Sequence, residues 1–348
     1  MSKDKSPHKG LMPLEQLVDT YGRRLHYLRL SVTDRCNLRC TYCMPSQGVA
    51  KLAHDQVLTL EELARVARVA VSLGVDKIRL TGGEPLLRRD LGVLLQALDR
   101  LRPRPDLRIT TNGHYLAQHL PLLLQSGIST VNVSLDTLDP EQYGLISGLG
   151  ARAGERAYRR VWQGIRAALD SGALAVKLNV VLLAGINDHQ ARDFARLTRR
   201  LPLAVRFIEY MPVGRHQPFQ ARRFVSSQEV LEDISGLGGL QELPHRPGDG
   251  PARRYRLEGA VGELGVISAV SSHFCAQCNR LRVSAEGRLV PCLLSEATVD
   301  LKPLLRAGCS DQELKEALLR AAQAKPRRHH QQLDNLHGAG CSMSRLGG

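Results

Sequence analysis

Residues 26–43 read His-Tyr-Leu-Arg-Leu-Ser-Val-Thr-Asp-Arg-Cys-Asn-Leu-Arg-Cys-Thr-Tyr-Cys. The first seven, His26 to Val32, form a β-rich run, and three thiols, Cys36, Cys40 and Cys43, fall on the loop directly after it. The same pattern repeats downstream. Lys77–Leu80, Leu107–Thr110, Thr130–Leu135, Val176–Leu182 and Val205–Glu209 are predicted strands. Helical stretches lie between them. One opens on the Thr59/Glu62 capping-box pair and carries Leu63, Val66, Ala67 and Ala70 at helical spacing. Others are predicted at Leu91–Leu101, Tyr115–Gln125, Ala157–Ser171, Gln190–Arg200 and Gln228–Ile234. Six β–α alternations predict an α/β fold, a parallel sheet with helical crossovers. Six units fall short of the eight of a full TIM barrel, so the expected form is a partial (β/α)6 TIM-like barrel with an open side.

The unusual residues sit where such a barrel uses them, at the C-terminal ends of strands. Thr33 to Cys36 follow the first strand, Thr81-Gly82-Gly83-Glu84-Pro85 the second, Thr111-Asn112-Gly113 the third, Asp136 the fourth and Tyr210-Met211-Pro212 the sixth. A polar, Pro/Gly-rich stretch from Leu243 to Arg254 separates this body from the rest. Two short β-like runs (Tyr255–Leu257 and Gly265–Ile267), more cysteines, a helix at Gln312–Ala324 and a polar tail ending in Gly347-Gly348 follow. The expected organisation is an N-terminal extension over 1–20, the barrel over 21–245, and a C-terminal domain over 246–348 closing the open side.

The 348 residues are 43% apolar and 24% charged, which excludes a largely disordered chain. No apolar run is long enough to span a membrane. The polar Met1–Lys9 stretch lacks the apolar core of a secretory signal, so a cytoplasmic location is expected. A formal charge of +14 suits nucleic acid, an anionic surface or a polyanionic small molecule. Aromatic residues make up only 4%, too few to stack single-stranded bases along a groove.

Cysteine usage is sharper. Of eight cysteines, six form two trios, Cys36/Cys40/Cys43 and Cys275/Cys278/Cys292, and in a reducing compartment that spacing is metal chemistry first. A structural zinc site closes its tetrahedron with four protein ligands. Three thiols with no neighbouring histidine leave one position vacant, as suits an iron–sulfur cubane with one iron free for an outside ligand. The alternative is a zinc site pairing Cys40/Cys43 with Cys275/Cys278, which strands Cys36 and Cys292. Cys309 and Cys341 read as free thiols.

The stretch Arg29 to Pro45 resembles the signature of radical S-adenosylmethionine (SAM) enzymes. That resemblance implies a 4Fe-4S cluster on Cys36, Cys40 and Cys43 whose fourth iron chelates SAM, which is then cleaved to a 5′-deoxyadenosyl radical. It also identifies Gly82-Gly83-Glu84-Pro85 as the loop whose backbone meets the methionine ammonium. From about Leu25 to Gly348 the chain resembles the GTP 3′,8-cyclase family of molybdenum cofactor biosynthesis. Val131-Asn-Val-Ser-Leu-Asp, Arg206-Phe-Ile-Glu-Tyr-Met-Pro, His273-Phe-Cys-Ala-Gln-Cys-Asn-Arg-Leu-Arg and the terminal diglycine carry the likeness.

By that resemblance Tyr42, Gly83, Ser134 and Met211 contact SAM. Arg29, Arg79, Thr110, Lys177, Arg280 and Arg282 contact GTP, Cys275, Cys278 and Cys292 hold a second 4Fe-4S cluster, and Gly347 and Gly348 reach into the active site. Guanidinium forks suit phosphate oxygens independently of any likeness. The implied reaction abstracts the ribose C3′ hydrogen of GTP and joins C3′ to guanine C8. The product, 3′,8-cyclo-7,8-dihydro-GTP, is taken by cyclic pyranopterin monophosphate synthase, and a reducing electron donor is required. Neither nucleic acid nor membrane is an expected partner, and a homodimer is allowed for. Two stretches depart from the family pattern, the glycine-rich Gly144–Glu155 and the first 20 residues. The competing readings are a radical SAM enzyme with another substrate and a zinc-stapled nucleic-acid-binding protein.

Overall fold

The strand sequences alternate between two environments. Leu28 and Leu30, Ile78 and Leu80, Leu107 and Ile109, Val131 and Val133, and Val205 and Phe207 are all buried in one core beneath the helices. The residues between them point the other way. Arg29, Arg79, Arg108, Asn132, Asn179 and Arg206 line an internal cavity. A closed TIM barrel fills its centre with branched apolar side chains, whereas this one presents a polar wall. The alternation therefore decides both how the barrel packs and where its site lies.

The computed structural model describes residues 15–213, 220–246, 250–295, 299–329 and 343–347. Its strands are β1 (Tyr27–Ser31), β2 (Lys77–Thr81), β3 (Asp106–Thr111), β4 (Thr130–Ser134), β5 (Ala175–Val181), β6 (Ala204–Ile208), β7 (Leu240–Leu243), β8 (Arg253–Leu257), β9 (Glu263–Ile267), β10 (Arg280–Val283), β11 (Arg288–Val290) and β12 (Val299–Asp300). The helices are α1 (Leu60–Ser72), α2 (Leu91–Asp99), α3 (Leu116–Gln125), α4 (Pro140–Ile146), α5 (Ala151–Asp170), α6 (Ala191–Leu197), α7 (Ser227–Ser235), α8 (Lys302–Arg306), α9 (Asp311–Gln323) and α10 (Met343–Leu346). None of the described helices is long and apolar enough to cross a membrane.

All twelve strands belong to one sheet, in the order β12-β11-β10-β1-β2-β3-β4-β5-β6-β9-β8-β7. The six expected β–α units supply β1 to β6, each parallel to the next. The C-terminal part of the chain then adds a strand to each edge: β9 runs parallel to β6, and β10 parallel to β1. The stretch read from sequence as a separator instead joins β7 to β8, an antiparallel pair in the same sheet. Because β9 ends at the upper, C-terminal end of the barrel and β10 begins at the lower end, residues 268–279 cross the open side from top to bottom.

Local chemistry places the helices. Thr59 and Glu62 cap the start of α1 reciprocally, as their spacing predicts. Helix α4 has no counterpart among the sequence-predicted helices. It starts on Asp139, which accepts from the Glu141 and Gln142 amides, with Pro140 in the first turn. The glycine-rich stretch that begins inside it allows α4 and α5 to cross closely: a Cβ on Gly144 would meet the Gly150 carbonyl at 2.5 Å.

Candidate active site

The first cysteine loop is gripped by its neighbours through backbone contacts. Gly83 donates to the Thr33 carbonyl (2.8 Å) and Glu84 to that of Arg35 (2.8 Å). A Cβ on Gly82 would meet the Thr33 oxygen at 2.6 Å, and one on Gly83 would collide with Arg35. These glycines are thus required by the approach of two loops. On the other flank, Arg39 and Thr41 donate to the Ser147 and Ile146 carbonyls at the end of α4 (both 2.9 Å). Gly148, at φ +70°, leaves only 2.6 Å between its would-be Cβ and the Arg39 oxygen. The unusual Gly144–Glu155 stretch is therefore part of the cradle.

Two buried carboxylates tie this end together. Glu84 is fully buried and accepts from the Leu86 amide (3.0 Å), the Thr111 hydroxyl (2.7 Å) and the Asn112 amide (2.6 Å). Burial raises its carboxyl to about 7 against those three donors. Asp136 accepts from the Tyr42 hydroxyl (2.7 Å) and the Val181 amide (2.8 Å), and burial lifts it to about 6. The Tyr42 ring is thereby anchored to the end of β4. Burial also pushes Cys36 up to about 11, and burial with Cys36 and Asp136 pushes Cys43 to about 12. Cys40 is raised well above the usual thiol range by burial and its acidic surroundings.

Below this loop the strand register builds tiers. Arg282, Arg29, Arg79 and Arg108 stand opposite one another on β10, β1, β2 and β3. One tier down are Arg280, Tyr27 and Lys77. One tier up, Thr110, Asn132 and Lys177 are in register on β3, β4 and β5. Six arginines and Lys77 line the cavity, with no carboxylate among its described lining residues. Arg108 is neutralised by Asp106 at 2.6 Å. Arg79 reaches Tyr27, the Ile109 carbonyl (3.1 Å) and Thr110 (3.3 Å). Burial pulls Arg29 down to about 9, and Arg282, Arg280 and Arg79 add to that. Burial raises the Tyr27 phenol, yet Arg79, Arg29 and Arg280 outweigh it and bring it to about 7. Gathering like charges out of water is costly unless an anion relieves it, so the cavity is built for a polyanion.

The second trio lies at the lower end. Cys278 is two residues before β10, and the antiparallel register of Arg282 with Val290 sets Cys292 beside Arg280. Cys275, Cys278 and Cys292 all line the same cavity. Burial pushes the Cys278 thiol up, but Lys325, Arg280 and Arg282 together bring it down to about 7.

The donor sets fit iron–sulfur clusters. Each trio supplies three thiols, and no group of His, Cys, Asp or Glu fit for a single metal ion occurs among the described residues. The zinc alternative fails on topology. Cys40/Cys43 lie beyond the top of β1 and Cys275/Cys278 below its partner β10. At about 3.3 Å per residue, the strand alone holds the pairs apart by on the order of 15 Å, whereas zinc ligands sit at about 2.3 Å.

Of the remaining sequence-predicted residues, Ser134 closes β4, and Met211 lines the cavity past the end of β6. Gly347 is buried at the upper end, where a Cβ would collide with Thr81 and come within 2.7 Å of the Gly82 nitrogen. The Thr81 hydroxyl donates to the Leu346 carbonyl at 3.2 Å. Gly348 and Cys341 lie outside the described residues. Sequence reasoning missed Arg108, Asn132, Asn179 and Arg206 on the cavity wall, though their places in the alternating strands would have found them. It also passed over Asp136 and Glu84 as anchors, because nothing in the sequence reports their burial.

Comparison with known proteins bears on the same segments. Residues 30–198 match the Radical SAM superfamily, and residues 203–331 match Molybdenum Cofactor Synthesis C. A GTP 3′,8-cyclase of Pelotomaculum thermopropionicum is 46% identical over 313 residues, covering 90% of this chain and 94% of that protein. The GTP 3′,8-cyclase of Geobacter sulfurreducens is 43% identical over 333 residues, 96% of this chain and the whole of that one. Among solved structures, Streptococcus suis SuiB bound to its precursor peptide SuiA superposes with a TM-score of 0.61 at 16% identity. That match covers 88% of this chain and 67% of SuiB, and it speaks to the fold alone.

Proposed function

Because this chain belongs to the GTP 3′,8-cyclase family, we infer that its polar barrel is where GTP is bound and cyclised, with a 4Fe-4S cluster at each end of the barrel. The enzyme is a radical SAM lyase of molybdenum cofactor biosynthesis. The observation that carries the two-cluster reading is the placement of the thiol trios at opposite ends of the β1–β10 pair, the lower trio lining the cavity that arginines wall. When bound at the upper trio, the cluster and SAM supply a 5′-deoxyadenosyl radical that takes the ribose C3′ hydrogen.

The protein contributes position. Gly83 offers its carbonyl to the methionine ammonium, with Tyr42, Ser134 and Met211 around SAM. The tier of Arg29, Arg79 and Arg282 grips phosphate oxygens, with Arg280, Thr110 and Lys177 on the neighbouring tiers. Cys275, Cys278 and Cys292 would hold the second cluster, which would supply a metal site for the guanine end of the substrate. C3′ is thereby directed towards the upper trio, and effective molarity does the rest. Gly347 closes the upper end next to the glycine-rich loop. Residues 21–245 serve SAM and 246–348 the second cluster, a functional division laid over one continuous sheet. The product passes to cyclic pyranopterin monophosphate synthase, and a cytoplasmic reductant feeds the upper cluster.

The test is anaerobic reconstitution followed by incubation with SAM, reductant and each nucleoside triphosphate in turn. Two cubanes correspond to about eight irons per chain. 5′-Deoxyadenosine and a cyclised product are expected with GTP alone. Cys292→Ala retains about four irons, cleaves SAM and loses GTP cyclisation. A Cys292→Ala enzyme that cyclises GTP at the parent rate overturns the assignment of the lower trio.

A further inference from the structure

The two trios differ in what stands behind them. Around the upper one stand the carboxyl groups of Glu84 and Asp136, which add to the effect of burial on Cys36 and Cys40. Behind the lower one is Lys325, two residues beyond the end of α9 and only 3% exposed. Its ammonium donates to the carbonyls of Arg280 (2.9 Å) and Pro291 (2.6 Å). Arg280 is two residues from Cys278, and Pro291 precedes Cys292. One side chain thus clasps the two strand ends that carry two of the three thiols. Arg23, held in a buried ion pair with Asp19, donates to the carbonyls of Cys275 (2.6 Å) and of Pro326 (2.7 Å), the neighbour of Lys325.

No described ion pair joins Lys325 to a carboxylate. A buried ammonium without a counter-charge costs several kcal/mol, and the groups that face it here are Cys278 and Cys292, which oppose the effect of its burial, and the Arg282 guanidinium, which adds to it. The charge is therefore balanced only when those sulfurs are anionic, as they are on a cluster. Reducing a cluster adds one negative charge, which a nearby cation favours and a nearby carboxylate opposes. Two chemically identical cubanes in these two settings are not equally easy to reduce.

We propose that Lys325, seconded by Arg23, is a positioning and tuning residue of the lower iron–sulfur site: it fixes the spacing of the Cys278 and Cys292 arms and makes that cluster easier to reduce than the upper one. This inference rests on the two-cluster reading above. Its role is outside the cavity, since Lys325 is absent from the cavity lining and acts through the backbone, through its contact with the Cys278 side chain and through charge.

The experiment isolates the lower cluster in the Cys36→Ala/Cys40→Ala/Cys43→Ala protein, reconstituted anaerobically and titrated with dithionite while the paramagnetic signal is followed. Into it go Lys325→Gln, which keeps an N–H donor for the carbonyls but not the charge, and Lys325→Met, which keeps neither. Lys325→Gln is expected to hold about four irons and to lower the reduced-to-oxidised ratio at fixed potential at least tenfold, about 59 mV for one electron. Lys325→Met is expected to lose iron as well. If Lys325→Gln does not fold, Arg23→Gln carries the test and is expected to shift the ratio in the same direction. Iron retained with an unchanged potential in the folded variant overturns the inference alone. A triple-alanine background that takes up no iron while Lys325 is intact overturns the two-cluster reading, and the inference with it.

Discussion

Replacing Gly347 by alanine would put a methyl group against the Thr81 side chain and 2.7 Å from the Gly82 nitrogen. The backbone there has φ +73°, where an L-residue costs about 1–2 kcal/mol. Relieving the overlap costs about a further 1–3 kcal/mol. Against this stand the terms that dock the tail. Leu346 is fully buried, which contributes about 1.5–3 kcal/mol. The Thr81–Leu346 hydrogen bond adds about 1 kcal/mol. The half-exposed pair of Arg345 with Glu286 adds at most about 1 kcal/mol. A cost of about 2–5 kcal/mol is therefore comparable with the whole docking energy, and it lowers the docked-to-undocked ratio by about 30-fold or more. The expected result is a folded, fully metallated enzyme that binds GTP nearly as before, because the arginine tiers are untouched. Its 343–347 amides exchange freely and its cyclisation is strongly suppressed. Hydrogen exchange read by mass spectrometry and initial rates under saturating SAM and GTP measure both. Parent-like protection of the tail, or turnover within about a factor of two, less than about 0.5 kcal/mol of barrier, refutes the reasoning.

Glu84→Ala leaves the Leu86 amide, the Thr111 hydroxyl and the Asn112 amide without their acceptor, a loss of at least about 3 kcal/mol in denaturant unfolding; Glu84→Gln loses less. Since the folded-state pKa of Glu84 is raised to about 7, its contribution to stability is full below about 4.5 and lost as pH rises through 7; a Glu84→Gln enzyme with the parent's pH–stability slope in that window speaks against it. Tyr27 stands near 7 only while Arg79, Arg29 and Arg280 are not otherwise neutralised, with Lys77 over its ring at 5.5 Å. A bound triphosphate returns the phenol towards its ordinary range, so binding takes up a proton and weakens above pH 7. Calorimetry of GTP binding between pH 7 and 9 should show that loss in the parent and its absence in Tyr27→Phe, and equal slopes would rule it out. Arg282→Met removes one charge-assisted contact of about 1.5–3 kcal/mol and should weaken GTP binding about 10- to 100-fold. A loss below threefold would take Arg282 out of the phosphate tier.

The barrel was legible because its six central strands alternate so plainly. Leu28, Leu30, Ile78, Leu80, Val131 and Val133 are apolar at every second place, and the Cys, Gly-Gly and Asn-Gly loops punctuate their ends. The edge strands were harder. β10, β11 and β12 have four, three and two residues, too short for a period of two to stand out. Thiol chemistry could be read from spacing, but not the fact that the trios occupy opposite ends, which follows from β10 running parallel to β1. Likewise Arg29, Arg79, Arg108 and Arg282 are scattered in sequence and become one tier only through the ladder register. Glu84 and Asp136 look like ordinary loop acids until burial is known. The Gly144–Glu155 stretch read as a departure because its partner, the backbone of Arg39, is a hundred residues away.

The pairing of Tyr27 with Arg280 joins the first strand of the barrel to one made about 250 residues later. A ribosome adding about 5–20 residues per second needs roughly 12–50 s to span that gap. Throughout it the nascent chain presents one side of β1 as an open edge, of the kind that recruits stray strands. The thiols of Cys36, Cys40 and Cys43 emerge during the same interval, long before Cys292 exists. Birth order therefore sets the sequence of assembly. The upper site is exposed to iron–sulfur delivery while the barrel is still incomplete, and the lower site is formed only after the chain's end has returned to seal its beginning.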